Sequence, residues 1–203
     1  FDKVNFSYEK GNPILKNVNF VITPGMSVAI VGPTGAGKTT IINLLTRFYN
    51  PDNGEILIDG IDLQKLTIKS IRQQVGVMLQ DSFLFTGSII ENIRYGRLDA
   101  TDEECIAAAK TVQAHDFITA FPDGYNTMLT TNGGGLSQGQ KQLISFARVL
   151  LSDPRILILD EATSSVDTQT EKDLQIGLDK LLKGRTSFII AHRLSTIRNA
   201  DII

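Results

Sequence analysis

Gly32-Pro33-Thr34-Gly35-Ala36-Gly37-Lys38-Thr39 is a complete Gly-x-x-x-x-Gly-Lys-Thr pattern. The run before it, Met26 to Val31, is short and nearly all apolar, as expected of a strand whose two faces are both covered. After it the spacing predicts a helix from about Lys38 to Phe48. Strand, glycine-rich loop and helix are the context in which this pattern binds phosphate. Glycines let successive backbone N–H groups turn inward around an anion. The helix N-terminus adds partial positive charge. Lys38 supplies a mobile point charge for the β- and γ-phosphates, and Thr39 a hydroxyl for Mg²⁺.

Working outward, Val4, Phe6 and Tyr8 alternate as on a strand, Gly11-Asn12-Pro13 turns the chain, and Ile14 to Ile22 reads as extended. Pro51 to Gly54 reads as a loop. Glu55–Ile58 and Ile61–Leu63 flank Asp59-Gly60 as a hairpin, and Gln74–Leu79 is a further strand. From about Asp81 to Leu151 the character becomes helical. Thr101-Asp102-Glu103-Glu104 is a capping box for a helix to about Gln113, and a shorter helix around Asp116–Ala120 stops at Pro122. Asn132 to Gly135 is a flexible loop. Ser137 then caps a helix, with Gln140 as its reciprocal partner. Ile156–Leu159 is a buried-type strand ending in Asp160-Glu161. Thr168-Gln169-Thr170-Glu171 reads as another capping box, Gly184 as that helix's end, and Thr186–Ala191 as the last strand. Strands alternating with helices at both ends imply an α/β fold with a parallel sheet, interrupted by a helical insertion.

Composition narrows the function classes. The chain has 203 residues, 42% of them hydrophobic and 21% charged, with a formal net charge of −2. That excludes a disordered tail, a collagen-like rod and a basic nucleic-acid arm. The longest apolar runs are about four residues, against the roughly 18 needed to span a bilayer. One cysteine, Cys105, rules out an internal disulfide and suits a reducing compartment. Opening on Phe1 and closing on Asp201-Ile202-Ile203, which reads as the start of a strand, the chain is expected to be an excised piece of a longer protein.

Leu136-Ser137-Gln138-Gly139-Gln140 resembles the Leu-Ser-Gly-Gly-Gln signature of ABC (ATP-binding cassette) proteins, with Gln138 in place of the first glycine. The loop at Gly32–Thr40, Gln80, Leu136–Gln140, Asp160-Glu161, Ser165-Val166-Asp167 and His192 occur in that family's order, over essentially the whole chain. The stretch from Asp81 to Ile93 is similar to the exporter branch, which includes multidrug and lipid exporters. The resemblance implies a P-loop NTPase (RecA-like) core with an antiparallel β subdomain, over 1–80 and 152–203, and an α-helical subdomain carrying the signature, over 81–151.

It also implies ATP and Mg²⁺ as ligands. ATP would rest on Tyr8, through adenine stacking, and on the loop Gly32, Pro33, Thr34, Gly35, Ala36, Gly37, Lys38, Thr39 and Thr40. Ser137, Gly139 and Gln140 of a second nucleotide-binding domain would cover it in a head-to-tail homo- or heterodimer. Thr39, Gln80 and Asp160 would serve the metal; Glu161 would act as base, His192 would contact the γ-phosphate, and Gln80 would reach the lytic water. Asp167 matches a residue that contacts the facing subunit, whereas His115 and Cys105 are assigned to helix structure. A transmembrane domain, expected in the same polypeptide, would be the other partner, on the cytoplasmic face of the cell membrane, with no nucleic acid. Two further readings stay open: a soluble ABC ATPase without transport, and a regulatory half of a heterodimer. Where exporters often carry an acidic Gly-Glu-Arg-Gly-like segment, Thr130-Thr131-Asn132-Gly133 has no charge, which leaves the pairing of domains open.

Overall fold

The computed structural model describes residues 1–79, 82–160, 167–190, 198 and 200–203. Strands β1 (Asp2–Ser7), β2 (Pro13–Val18) and β3 (Ser27–Ile30) lead into helix α1 (Lys38–Leu45). Then come β4 (Asn53–Glu55), β5 (Leu57–Ile58), β6 (Ile61–Asp62), α2 (Ile68–Gln74) and β7 (Val75–Met78). A mostly helical stretch holds β8 (Gly87–Ser88), α3 (Ile89–Arg94), α4 (Asp102–Thr111), α5 (His115–Thr119), β9 (Met128–Leu129) and α6 (Gln138–Ser152). The chain returns through β10 (Ile156–Asp160), α7 (Thr168–Leu182) and β11 (Thr186–Ile190).

β3, β11, β10 and β7 hydrogen-bond in that order as one parallel sheet, and β2, β1 and β4 form an antiparallel one. Register decides which residue faces which layer. Val28, Phe188 and Ile158 lie in one row across the parallel sheet; Ala29, Ile189, Leu159 and Met78 lie in the next. Side chains alternate along a strand, so the two rows face opposite ways. The first row packs on Ile42, Leu44 and Leu45 of α1 and on Val4, Phe6 and Leu15 of the antiparallel sheet. The second packs on Ile89, Ala109, Ile144, Phe146 and Leu181 of the helices α3, α4, α6 and α7. Each such large side chain removed from water contributes about 1.5–3 kcal/mol. Both faces are therefore dry, which is why these strands are apolar without alternation.

Several local expectations hold. Asp59 and Gly60 take φ +51° and +77°, the turn that joins two strands through a pair of left-handed residues. Thr101/Glu104 and Ser137/Gln140 form complete capping boxes at α4 and α6. Cys105 is buried in α4, where burial pushes its thiol up. His115 Nδ1 is hydrogen-bonded to the Tyr125 hydroxyl at 2.9 Å, and burial, then Asp116, pushes that phenol up to about 12.

Others are corrected. The extended stretch ends as a paired strand at Val18; Phe20 instead donates its N–H to Phe1 O and stacks its ring on Phe1 at 4.4 Å. Asn53 and Gly54 are not loop but the start of β4, bonded to β1. Asp167, not Thr168, caps α7: its carboxylate accepts from the amides of Gln169 and Thr170 and from the Thr170 hydroxyl at 2.6 Å. Those bonds, the hydroxyl's first, hold the carboxyl below its usual range. The short helices α2 and α3 were not anticipated at all, although Ser88 and Glu91 form a capping box.

Arg148 of α6 fixes the segment that leads into α3. Its guanidinium donates to Phe83 O at 2.9 Å, Asn92 O at 2.8 Å and Asn92 Oδ1 at 2.9 Å, and lies over the rings of Phe85 and Tyr95. Asn92 in turn donates to Phe85 O and accepts from Phe85 N. Close approach of the two backbones makes this possible: a Cβ at Gly96 would stand 2.0 Å from Arg148 O. Gly96→Ala should therefore lower the unfolding free energy by at least about 2 kcal/mol. A urea titration checks it, and an unchanged midpoint would mean that the helices separate at no cost.

Candidate functional site

The glycine-rich loop leaves the sheet after Ile30 and ends at Gly37, the N-cap of α1. Gly37 has φ +92°, a left-handed conformation that favours glycine, and a Cβ there would stand a tight 3.0 Å from Leu15 Cδ2. Ala36 N–H donates to Pro33 O, closing the loop's turn. Lys38 curls back over the loop, its Nζ donating to Gly32 O at 2.7 Å and Pro33 O at 3.1 Å. An ammonium is thereby held at the mouth of the loop.

What distinguishes α1 is its first turn. Helices α2, α3, α4, α6 and α7 each begin on a side chain that accepts an N-terminal amide: Thr67, Ser88, Thr101, Ser137 and Asp167; the short α5, starting after Ala114, has no such cap but carries Asp116 in its first turn. α1 has no side-chain cap and no acid in its first turn. Its leading amides and the positive end of its dipole are left for an external anion. The chain thus offers an anion seat on its own geometry.

Around this terminus lie further predicted residues. Thr39 is exposed on the first turn, and Thr40 is buried. Tyr8 follows β1 directly; its hydroxyl donates to Thr40 Oγ1 at 3.3 Å, tying the predicted aromatic to the loop's helix. Asp160 closes β10 opposite Ile190, which pairs with Ile30 of β3. By alternation Asp160 shares the face of Ile158, the face that carries α1. It therefore stands at the sheet edge from which the loop departs. Asn43 was missed by sequence reasoning: its amide donates to the Tyr8 hydroxyl at 3.1 Å. A signal was present, since Asn43 is the one polar residue in Ile41-Ile42-Asn43-Leu44-Leu45 and follows Thr40 by three.

Ser137, Gly139 and Gln140 lie elsewhere. Ser137 Oγ accepts from Gln140 N at 3.2 Å, Gln140 Oε1 accepts from Ser137 N at 3.0 Å, and Gly139 is buried. The Ser137 hydroxyl keeps its proton to donate. α6 packs on the sheet face opposite to α1, so the chain's two glycine-containing helix starts sit on opposite layers. Gln80, Glu161 and His192 lie outside the described residues, as do Ser165 and Val166.

A family model described as ABC transporter matches residues 15–164. The chain belongs to the ABC transporter family. Its parallel sheet with an added antiparallel layer is the P-loop NTPase fold of ABC ATPase domains. Over all 203 residues it is 61% identical to the ABC transporter ATP-binding protein YfiC of Bacillus subtilis (strain 168), covering 34% of that protein. It is 52% identical, again over 203 residues, to the fatty acid ABC transporter ATP-binding/permease protein of Mycobacterium bovis (strain ATCC BAA-935 / AF2122/97), covering 32% of it. Among solved structures it is similar to a bacterial Atm1-family ABC exporter with ATP bound, at 46% identity and a TM-score of 0.91, over the whole of this chain and 36% of that one. The chain thus spans about a third of the length of these relatives. Among the described residues, no helix is long and apolar enough to cross a membrane.

For this ABC domain, Lys38→Ala should weaken ATP affinity by about tenfold or more, the scale of one charge-assisted phosphate contact. Titration calorimetry reads it directly, and an unaltered affinity would refute the loop as the phosphate seat.

Proposed function

We propose that this chain is the ATP-binding and ATP-hydrolysing domain of an ABC exporter, acting on the cytoplasmic face of the cell membrane and powering solute export by an attached transmembrane domain. Support comes from relatives that unite ATP-binding and permease parts in their names, and from the exporter with ATP bound that shares this fold. They favour transport over a soluble ATPase. In this reading the chain divides into an ATP-binding core, 1–80 and 152–203, and a helical arm, 81–151.

The observation that carries the proposal is the uncapped N-terminus of α1 on one face of the sheet and the Ser137-capped N-terminus of α6 on the other. The two termini need not face each other within one copy, and in this reading two copies arranged head to tail bring them to one triphosphate. The loop Gly32–Thr40 holds the phosphates of ATP, Lys38 reaches the γ-phosphate, and Tyr8 stacks on the base. A second copy closes the site with its own Ser137, Gly139 and Gln140. Filling both termini at once supplies the free energy for closure, since ATP binds the paired state more tightly than the separate one.

Glu161 takes a proton from water as its oxygen attacks the γ-phosphorus and the bond to the β–γ bridging oxygen breaks, giving ADP and phosphate. His192 contacts the γ-phosphate, and Gln80 the water. Lys38 and the α1 amides stabilise the spreading negative charge. Thr39 and Asp160 offer oxygen donors that would hold Mg²⁺ together with Gln80, and the ion would supply positive charge against the phosphates. Among the described residues no cluster of three His, Cys, Asp or Glu competes as a metal site.

Two substitutions test separate parts. Glu161→Gln should retain ATP binding, lose more than about a hundredfold in turnover, and trap an ATP-dependent dimer on size exclusion; a fully active variant would defeat the base assignment. Ser137→Arg should leave ATP binding by the single copy intact while abolishing ATPase activity. Normal turnover in that variant would reject the shared site.

A further inference from the structure

We infer that Asn43 is a positioning residue for base recognition, which sets the ring of Tyr8 and couples it to the phosphate loop. The inference rests on the reading that Tyr8 stacks on the base. Asn43 lies on α1 three residues after Thr40, hence on the same side of the helix. Its side-chain amide donates to the Tyr8 hydroxyl at 3.1 Å, and that hydroxyl donates to Thr40 Oγ1 at 3.3 Å. The phenol thus uses its only proton and one acceptor position on two side chains of a single helix.

The backbone of Asn43 acts on the same ring from another direction. Its carbonyl accepts from Phe48 N at 2.8 Å and Tyr49 N at 3.4 Å, folding the chain after α1 back toward β1. That brings Tyr49 to 5.1 Å from Tyr8, centroid to centroid, with the rings at 87°. Phe6 approaches Tyr8 at 4.9 Å and 86°. Two perpendicular rings and two polar side chains therefore fix the aromatic, yet 46% of Tyr8 stays exposed. A ring ordered in advance loses little freedom when a purine stacks on it. Thr40 belongs to the first turn of α1, so the base platform and the phosphate seat are joined through one hydroxyl.

The test compares ATP with inorganic tripolyphosphate, each with Mg²⁺, because the second ligand has no base. Asn43→Ala should weaken ATP binding by about 2- to 10-fold, the scale of one hydrogen bond, and leave tripolyphosphate binding unchanged. In a Tyr8→Phe background the same substitution should cost nothing further, since the hydroxyl it acts through is gone. An equal loss for both ligands would show a structural role in α1 and overturn the inference. So would unaltered ATP binding, or a loss that adds in full to that of Tyr8→Phe. Tyr8→Ala separates the parent reading: if it leaves the ratio of the two affinities unchanged, the base does not rest on Tyr8 and both ideas fall.

Discussion

An α-helix that starts on glycine has no side chain with which to satisfy its own first amides. Among the longer helices of the described residues that constraint falls on α1 alone, and the surroundings are arranged around it. The loop before it is closed by the Ala36–Pro33 bond and crossed by the Lys38 ammonium. The buried faces of Ile42, Leu44 and Leu45 anchor the helix to the sheet. A desolvated helix body with an unfilled polar tip is a stable arrangement only where something else supplies the acceptor, and a nucleotide's phosphates have the right charge and number of oxygens.

The parallel sheet sets the layer on which each helix start lies. Its strands are short and apolar on both sides, so helices must cover both faces. The loop helix takes one face and the Ser137 helix the other. Since side chains alternate along β10, Asp160 is assigned to the loop's side by the same parity that buries Leu159 on the other. Each copy thus carries its two glycine-containing helix starts on separate layers, which is the feature the proposed head-to-tail pairing draws on.

Much of this was legible in residue order. The phosphate loop, the Ser137/Gln140 box and the Asp59-Gly60 hairpin each depend on local backbone chemistry that a few residues fix. What was not legible depended on competition or distance. Asp167 and Thr168 offered overlapping caps; the carboxylate won because it accepts two amides and a hydroxyl together. The helices α2 and α3 are too short to show a periodic apolar face, and tertiary contacts hold them. Asn43 looked like a polar interruption, because the hydroxyl it serves lies 35 residues away along the chain.

Arg148 carries a different consequence. Burial lowers the proton affinity of its guanidinium, yet it stays bonded to main-chain oxygens of residues 83 and 92 and to the Asn92 side chain. The stretch after position 82 and helix α6 are thus joined by a buried cation as well as by apolar packing, and turning either one alone would strand a desolvated charge.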